Sequence, residues 1–413
     1  MGKSGLNTLL LNREDSASTQ YKLKTIVSVL RKQLDMDVAF ISEFLDGKRI
    51  FRFVDSENEE SPVKVGGSDS LEETYCKRIA DGDLGCIIHD ATLNEITRKL
   101  DITRRLSIGS YMGIPLVLSN GQIYGSFCCF QSIADPSLSK RDLGFLRAIA
   151  EIASELIEEK LAHETSWLEV TKKIGVILES GDIDIHYQPI YDFHANKVSG
   201  FESLSRFVSD PYRTPDIWFS EAAEVGLCEQ LEMLAIKNAV SGMNELRDDL
   251  CITLNVSPEY VLNGALEATL NNTESKRIIL EITEHSPISD YPSFRQALKP
   301  LRDQGVRLAI DDAGAGYSSF QHILELEADI IKLDISLTKD IHLDSKKFLL
   351  AKALCAYAKA INCIVIAEGI EAIEDLNALR KLGVDKAQGY LIGRPMPLAE
   401  AVSYIQIKAF DLD

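Results

Sequence analysis

The chain has 413 residues, 45% hydrophobic and 26% charged, which excludes collagen-like, wholly disordered and disulfide-stapled classes and leaves room for about two to three domains. Lys and Arg total 44 against 63 Asp and Glu, and the net charge of −19 argues against a nucleic-acid polymer as partner, since duplex binding needs a basic footprint to displace counterions. An anionic small molecule stays compatible with this charge where a metal supplies the missing positive counterpart.

The first 19 residues read as an N-terminal tail. Their opening, MGKSGLNTLLLN, has neither a signal-peptide apolar stretch nor the Ser or Thr at position six that myristoylation favours. No apolar run anywhere approaches the ~18 residues that span a bilayer. The cysteines Cys76, Cys86, Cys128, Cys129, Cys228, Cys251, Cys355 and Cys363 show no C-x-x-C spacing and read as reduced, packed thiols. A cytoplasmic protein without a membrane partner is expected.

From residue 20 to 160 the chain reads as an antiparallel α+β module. Helical patterns cover 21–34 and 71–80, and alternating segments DVAFISEFL, RIFRFV, MGIPLVL and GSFCCFQ read as strands. In the order TYCKRIADGD, IIHDA, SYMGIPLVLSNGQIYGSFCCF and closing helix, this module resembles a GAF sensor domain, with a PAS-like domain as the structural alternative. The resemblance implies a small-molecule or ion effector of unknown identity. It also raises a covalent chromophore on Cys76, against which stands the tendency of such cysteines to be packed hydrophobes.

Residues 139–178 contain no Pro and carry apolar positions in sevens. Leu146, Ala153, Lys160, Trp167 and Ile174 form one register, and Ile149, Leu156, His163, Val170 and Ile177 the other. The pattern predicts a long helix, with 161–178 as the connecting part, that either pairs across a homodimer as a coiled coil or packs on its own domain.

Over 179–413 strand patterns alternate with helical ones: DIHYQPIYD, KVSGFESLSRF, CITLNVS, KRIILEITE, VRLAIDDAG, DIIKLDIS, CIVIAEGIE and KAQGYLIG. Eight strands in this length predict a TIM-like (β/α)8 barrel, an α/β fold whose catalytic face is the C-terminal edge of its strands. Glu202, Asn255, Glu281, Asp311, Asp312, Lys332, Glu368 and Gln388 all fall at or near strand ends. Five of these are carboxylates, and at an effective dielectric of 20 and ~6 Å spacing each pair repels by roughly 3 kcal/mol. One lysine does not offset that, so either several carboxyls stay protonated or divalent cations bind. Oxygen donors with one amide suit Mg²⁺ or Mn²⁺ better than zinc. The adjacent Asp311 and Asp312 are expected to diverge, so that one bridges two cations about 3.5–4 Å apart while the other holds the second, an arrangement that clamps a phosphodiester. Lys332 reads as a water-positioning group or as the partner of a neighbouring acid such as Asp334.

The ordered series YQPIYD, FESLSRF, LNVSPE, LEITE, AIDDAGAGYSS, IKLD, AEGIE and QGYLIGRPMP resembles the motifs of EAL-domain cyclic-di-GMP phosphodiesterases. That resemblance implies hydrolysis of one phosphodiester bond of cyclic-di-GMP to linear pGpG with two bound ions, Mg²⁺ or Mn²⁺. It implies that Glu202, Asn255, Glu281 and Asp311 hold one ion and Asp312 and Glu368 complete the second, with Asp311 shared. Lys332 then contacts the attacking water, while Gln188, Arg206, Gln388 and Glu371 surround the substrate. A regulatory loop contains Gly314 and Gly316, anchored at Glu284. Three positions depart from the family pattern: Ser203 replaces the name-giving Ala, Ala313 the usual Phe and Ala315 the usual Thr or Ser. Ser203 is expected to point away from Glu202 and to bond nearby backbone. The competing function is a receptor that binds cyclic-di-GMP without cleaving it and signals through dimer geometry.

Overall fold

The computed structural model describes residues 14–58, 60–209, 211–271, 273–283, 288–313 and 318–407. The chain divides into two compact units, 1–166 and 167–413.

Unit 1 is built on a six-stranded antiparallel sheet in the order β3-β2-β1-β6-β5-β4, with β1 Val38–Leu45, β2 Lys48–Ser56, β3 Ser68–Ser70, β4 Ile87–Ile88, β5 Ser110–Val117 and β6 Ile123–Gln131. Alternation along β6 sends Phe127 and Cys129 to one face and Cys128 and Phe130 to the other, so the sheet separates two apolar cores. Helix Glu14–Gln33 reaches back into the stretch read as a tail and covers the first core with Leu23, Val27 and Leu30. The short strands β3 and β4 and the helix Asp101–Arg105 escape the periodicity because none is long enough to show one.

The sevenfold pattern forms a single 41-residue helix, Lys140–Ser180. Leu146 and Ala153 are consumed by the core of unit 1, and Val170 and Ile174 by a cluster in unit 2 with Phe207 and Trp218. Four of the ten positions assigned to a dimer seam are therefore buried within this chain.

Unit 2 contains the eight expected strands, which close into a barrel: β7 Asp184–Asp192, β8 Lys197–Arg206, β9 Cys251–Asn255, β10 Ile278–Thr283, β11 Arg307–Ala313, β12 Ile330–Leu333, β13 Ile364–Ala367 and β14 Lys386–Gln388. Strands β8 to β14 run parallel. β7 is antiparallel to both neighbours, because it joins β8 through a hairpin where the alternating pattern predicted a helix. A two-residue strand, β15 (Met396–Pro397), pairs with the outer end of β7. No described helix is long and apolar enough to cross a membrane.

Candidate metal and active site

The acids converge as the strand-end reading expected, but the lysine at their centre exceeds it. Lys332 stands on β12, is fully buried, and its Nζ lies 2.7 Å from Glu368, 2.9 Å from Glu281 and Asp311 and 3.6 Å from Glu202. It does not pair with Asp334, whose carboxylate accepts from the Ser336 N–H and caps the next helix. Burial alone pushes the Lys332 ammonium down, but Asp311, Glu202, Glu281 and Glu368 override it and hold the group well above its ordinary value. Burial and the neighbouring acids push Glu281 well up against the pull of Lys332, and push Glu368 up to about 8.

β11 has a bulge after Ile310, and Asp312 adopts the left-handed φ of 56°, uncommon for a residue with a Cβ. Adjacent residues that would diverge on a regular strand are thereby turned to one side. Carboxylate oxygens of Asp311, Asp312 and Glu368 all lie within 4.8 Å of one another, close enough to share an ion. Glu368 is held in place by the Thr338 hydroxyl, which donates to its carbonyl, and by its own N–H bonded to Leu333.

A second observation bears on the cation. Oε1 of Glu281 and Oδ1 of Asp311 face the Lys332 ammonium at 2.9 Å, while the buried Oε2 of Glu281 has no hydrogen-bond partner among the described residues. Buried acceptors of this kind are costly unless a donor or cation meets them. The donor set, all oxygen, fits a hard divalent ion. Glu202, Glu281 and Asp311, three of the four residues assigned to the first ion, are the same groups that the ammonium contacts.

The substrate-assigned residues fall on two cavities. Gln188, Glu202, Asp311, Asp312, Glu368 and Gln388 line one of about 380 Å³, together with Glu371, which pairs with Lys339 at 3.4 Å. Arg206, Asn255 and Glu281 line another of about 470 Å³, where the Arg206 guanidinium donates to its neighbour's carbonyl at Ser205. Asn255 is the register partner of Glu281 on β10. Across the barrel seam the Gln388 amide donates to Gln188 at 3.0 Å and to Glu202, and the Gln188 amide donates to the Gly393 carbonyl at 3.2 Å. Gly389 makes this possible: its φ is +155°, and a Cβ there would lie 2.2 Å from the Ile370 backbone.

Ser203 lines the larger cavity while Glu202 lines the smaller, so the two side chains point apart as expected. The expected backbone bond is missing: the buried Ser203 hydroxyl has no partner among the described residues. Ala313 ends β11 fully buried in the barrel's hydrophobic cluster. Glu284, Gly314, Ala315 and Gly316 lie outside the described residues.

Two contributors escaped the sequence reading. Glu232, on helix Cys228–Met243, accepts both the Ser257 N–H and hydroxyl at 2.7 Å, anchoring the turn that follows Asn255; burial pushes its carboxyl up to about 7. A helical Glu among apolar neighbours carries no local signal. Tyr390, half-exposed on the wall of the smaller cavity, has the Arg394 guanidinium 4.1 Å over its ring. Its place directly after Gln388-Gly389 was the available clue.

Comparison with known proteins adds the lineage. Residues 169–395 match the EAL domain family and residues 22–157 the GAF domain family. The chain is 31% identical over 379 residues to a probable cyclic di-GMP phosphodiesterase, PdeI of Escherichia coli, covering 85% of this chain and 48% of that protein. It is 27% identical over 263 residues to the cyclic di-GMP phosphodiesterase NbdA of Pseudomonas aeruginosa, covering 61% of this chain and 34% of that protein. This chain therefore spans less than half the length of either relative. Among solved structures, an EAL domain protein from Listeria monocytogenes superposes with a TM-score of 0.53 at 25% identity, covering 58% of this chain and 98% of that one. The PaMucR phosphodiesterase in complex with c-di-GMP gives 0.52 at 27%, covering 56% and 99%. With more than half of its 413 residues inside the matched region, and the strand-end acids gathered at one rim, the chain belongs to the EAL domain family and carries a GAF domain before its barrel.

Proposed function

We propose that the protein is a metal-dependent phosphodiesterase that opens cyclic-di-GMP to linear pGpG. The observation that carries this reading is the set of carboxylates from four strand ends around the buried Lys332, more acids than one ammonium balances, with Oε2 of Glu281 buried and without a hydrogen bond among the described residues. The relatives known as cyclic di-GMP phosphodiesterases and the PaMucR structure in complex with c-di-GMP support this dinucleotide as the substrate.

Glu202, Asn255, Glu281 and Asp311 would hold one Mg²⁺ or Mn²⁺, and Asp311, Asp312 and Glu368 the second. When bound, the two ions supply Lewis acidity to the phosphoryl oxygens and lower the pKa of water. The chain's own groups do the rest. Lys332 donates to the attacking water and fixes its approach. Gln188 and Gln388 present amides beside Glu202, and Arg206 offers a planar fork to a non-bridging phosphate pair. The exposed Tyr390 ring gives a guanine a stacking platform, and Glu371 accepts from a base edge. As water oxygen bonds phosphorus, the bond from phosphorus to the ribose 3′ oxygen breaks, leaving a 3′ hydroxyl and a terminal 5′ phosphate.

The GAF domain regulates this step through helix Lys140–Ser180 in a homodimer, in response to a small-molecule or ion effector. Eight free thiols suit a reducing, cytoplasmic compartment. Glu284, Gly314 and Gly316 belong to the loop that would couple dimer and site. Turnover of cyclic-di-GMP with Mn²⁺ or Mg²⁺, and its loss on chelation, tests the reading. Glu202→Ala and Lys332→Ala should each abolish pGpG formation. Tight binding of the dinucleotide with no linear product in either metal would instead establish the receptor.

A further inference from the structure

Unit 1 buries a second set of reactive groups that the barrel chemistry does not use. Cys76, on the six-residue helix Tyr75–Ala80, and Cys128, on β6, approach to 3.6 Å between sulfurs. Arg49 Nη1 donates to Cys76 Sγ at 3.2 Å, and the Tyr111 hydroxyl lies 3.3 Å from the same sulfur.

Two packed thiols in an apolar core need no guanidinium, yet Arg49 is only 1% exposed, wedged between the rings of Phe40 and Phe51 at 5.2 and 4.7 Å. Its carboxylate partner Asp69 also pairs with the half-exposed Arg105. The Nε of Arg49 has no hydrogen-bond partner among the described residues. The guanidinium reaches past Asp69 to the Cys76 sulfur, where a positive charge stabilises a thiolate. Gly113 lies opposite Cys128 on β5, and a Cβ there would sit 2.7 Å from that sulfur. The absent methyl leaves the Cys128 side chain room to turn.

We propose that Cys76 and Cys128 form a hydroperoxide-responsive dithiol, with Cys76 the attacking sulfur, Cys128 the resolving sulfur and Arg49 the group that holds the Cys76 thiolate. The thiolate attacks the outer oxygen of a hydroperoxide, the O–O bond breaks, and the departing alkoxide or hydroxide takes up a proton. Cys128 then attacks the resulting sulfenic acid; the S–S bond forms, the S–O bond breaks, and hydroxide leaves as water with the Cys128 proton. Two thiols are oxidised and one peroxide is reduced.

The division of labour follows the surroundings. Burial opposes ionisation of Cys76, but the contact with Cys128 and the charge of Arg49 bring it well below the ordinary thiol value, whereas burial pushes Cys128 well above it. Cys129, next in sequence but on the opposite face of the sheet, is pushed up to about 12 and serves as an internal control. An S–S bond of about 2.05 Å needs the sulfurs to close by roughly 1.5 Å. Both thiols are buried, so the reaction requires local opening of the short helix that carries Cys76 to let a molecule as small as hydrogen peroxide in.

The test is to treat the full-length protein with hydrogen peroxide and count thiols after denaturation. Two of the eight should be lost, the mass should fall by two hydrogens, and digestion should yield one peptide pair joined through Cys76 and Cys128, reversed by dithiothreitol. Arg49→Gln should slow the link by about tenfold or more. In Cys128→Ser, a sulfenic-acid trap should label Cys76. No loss of thiols, a link through Cys86 or Cys129, or passage of wild-type Cys76 directly to sulfinic acid would overturn the proposal. Because the wild-type readout needs no variant to fold, a misfolded substitution does not shield it.

Discussion

Lys332→Met keeps an unbranched side chain one atom shorter and removes the ammonium from among four carboxylates. Three contacts lie at 2.7–2.9 Å, and a unit pair about 3 Å apart at an effective dielectric of 20 is worth roughly 5 kcal/mol. Much of that offsets desolvation of the ammonium, so truncation should cost the metal-free barrel about 3–5 kcal/mol. The deficit carries a sign in pH. Left facing one another, the acids hold protons to higher pH than in the wild type, where Glu368 already keeps one up to about 8, so the deficit should be largest at alkaline pH and shrink as pH falls through and below 8. Mn²⁺ should shrink it too, by supplying the charge by another route. Both tryptophans, Trp167 and Trp218, lie in unit 2, so urea unfolding followed by their fluorescence reports on the barrel. Measurements at pH 5 and pH 8, with EDTA and then Mn²⁺, separate the cases. A variant as stable as wild type in EDTA at pH 8, or one equally weakened under all four conditions, would refute the electrostatic account.

The folded form keeps a proton on Glu368 up to about 8, whereas the unfolded chain releases it near 4.5. Stability of the metal-free wild type should therefore fall as pH rises across that window, by roughly 1 kcal/mol per pH unit for that group, and Mn²⁺ should flatten the slope in thermal melts. Ser203→Ala restores the usual family residue and deletes a buried hydroxyl without a partner; a gain of about 1 kcal/mol in urea unfolding with unchanged turnover is expected. Gly389→Ala forces a methyl to 2.2 Å from Ile370 backbone and should cost roughly 3 kcal/mol or more while weakening dinucleotide binding, read by calorimetry.

Several strands of the barrel were legible as apolar, β-branched runs that lead to a polar group, such as Ile278–Thr283 around Glu281 and Ile330–Leu333 around Lys332. Which residues share the rim was legible for the same reason. What escaped depends on contacts between distant segments. The hairpin that makes β7 antiparallel is the local exception: only residues 193–196 separate β7 from β8, too few for a helical crossover. The left-handed turn at Asp312 is imposed by the bulge against β12, and local periodicity predicts divergence. The sevens in the long helix were real, but a repeat in sequence does not say whether its apolar face meets another copy or the chain's own domains. Leu146 and Ile174 show the second outcome.

The bond between Gln388 and Gln188 joins residues 200 positions apart, on the last and first strands of the barrel. Closing a loop of that size is entropically late in assembly. An open intermediate lacking β14 still has the β10–β11 pair and the β7–β8 hairpin that sets Gln188 opposite Glu202, whereas the Gln388 amide reaches Glu202 only after closure. Acquisition of ion affinity and acquisition of nucleotide affinity during refolding should thus be separate events in time, with the ion first. On the proposed function, a nascent chain stalled before Lys386 would gather the acids of the first ion site but lack the Gln388 amide beside Glu202.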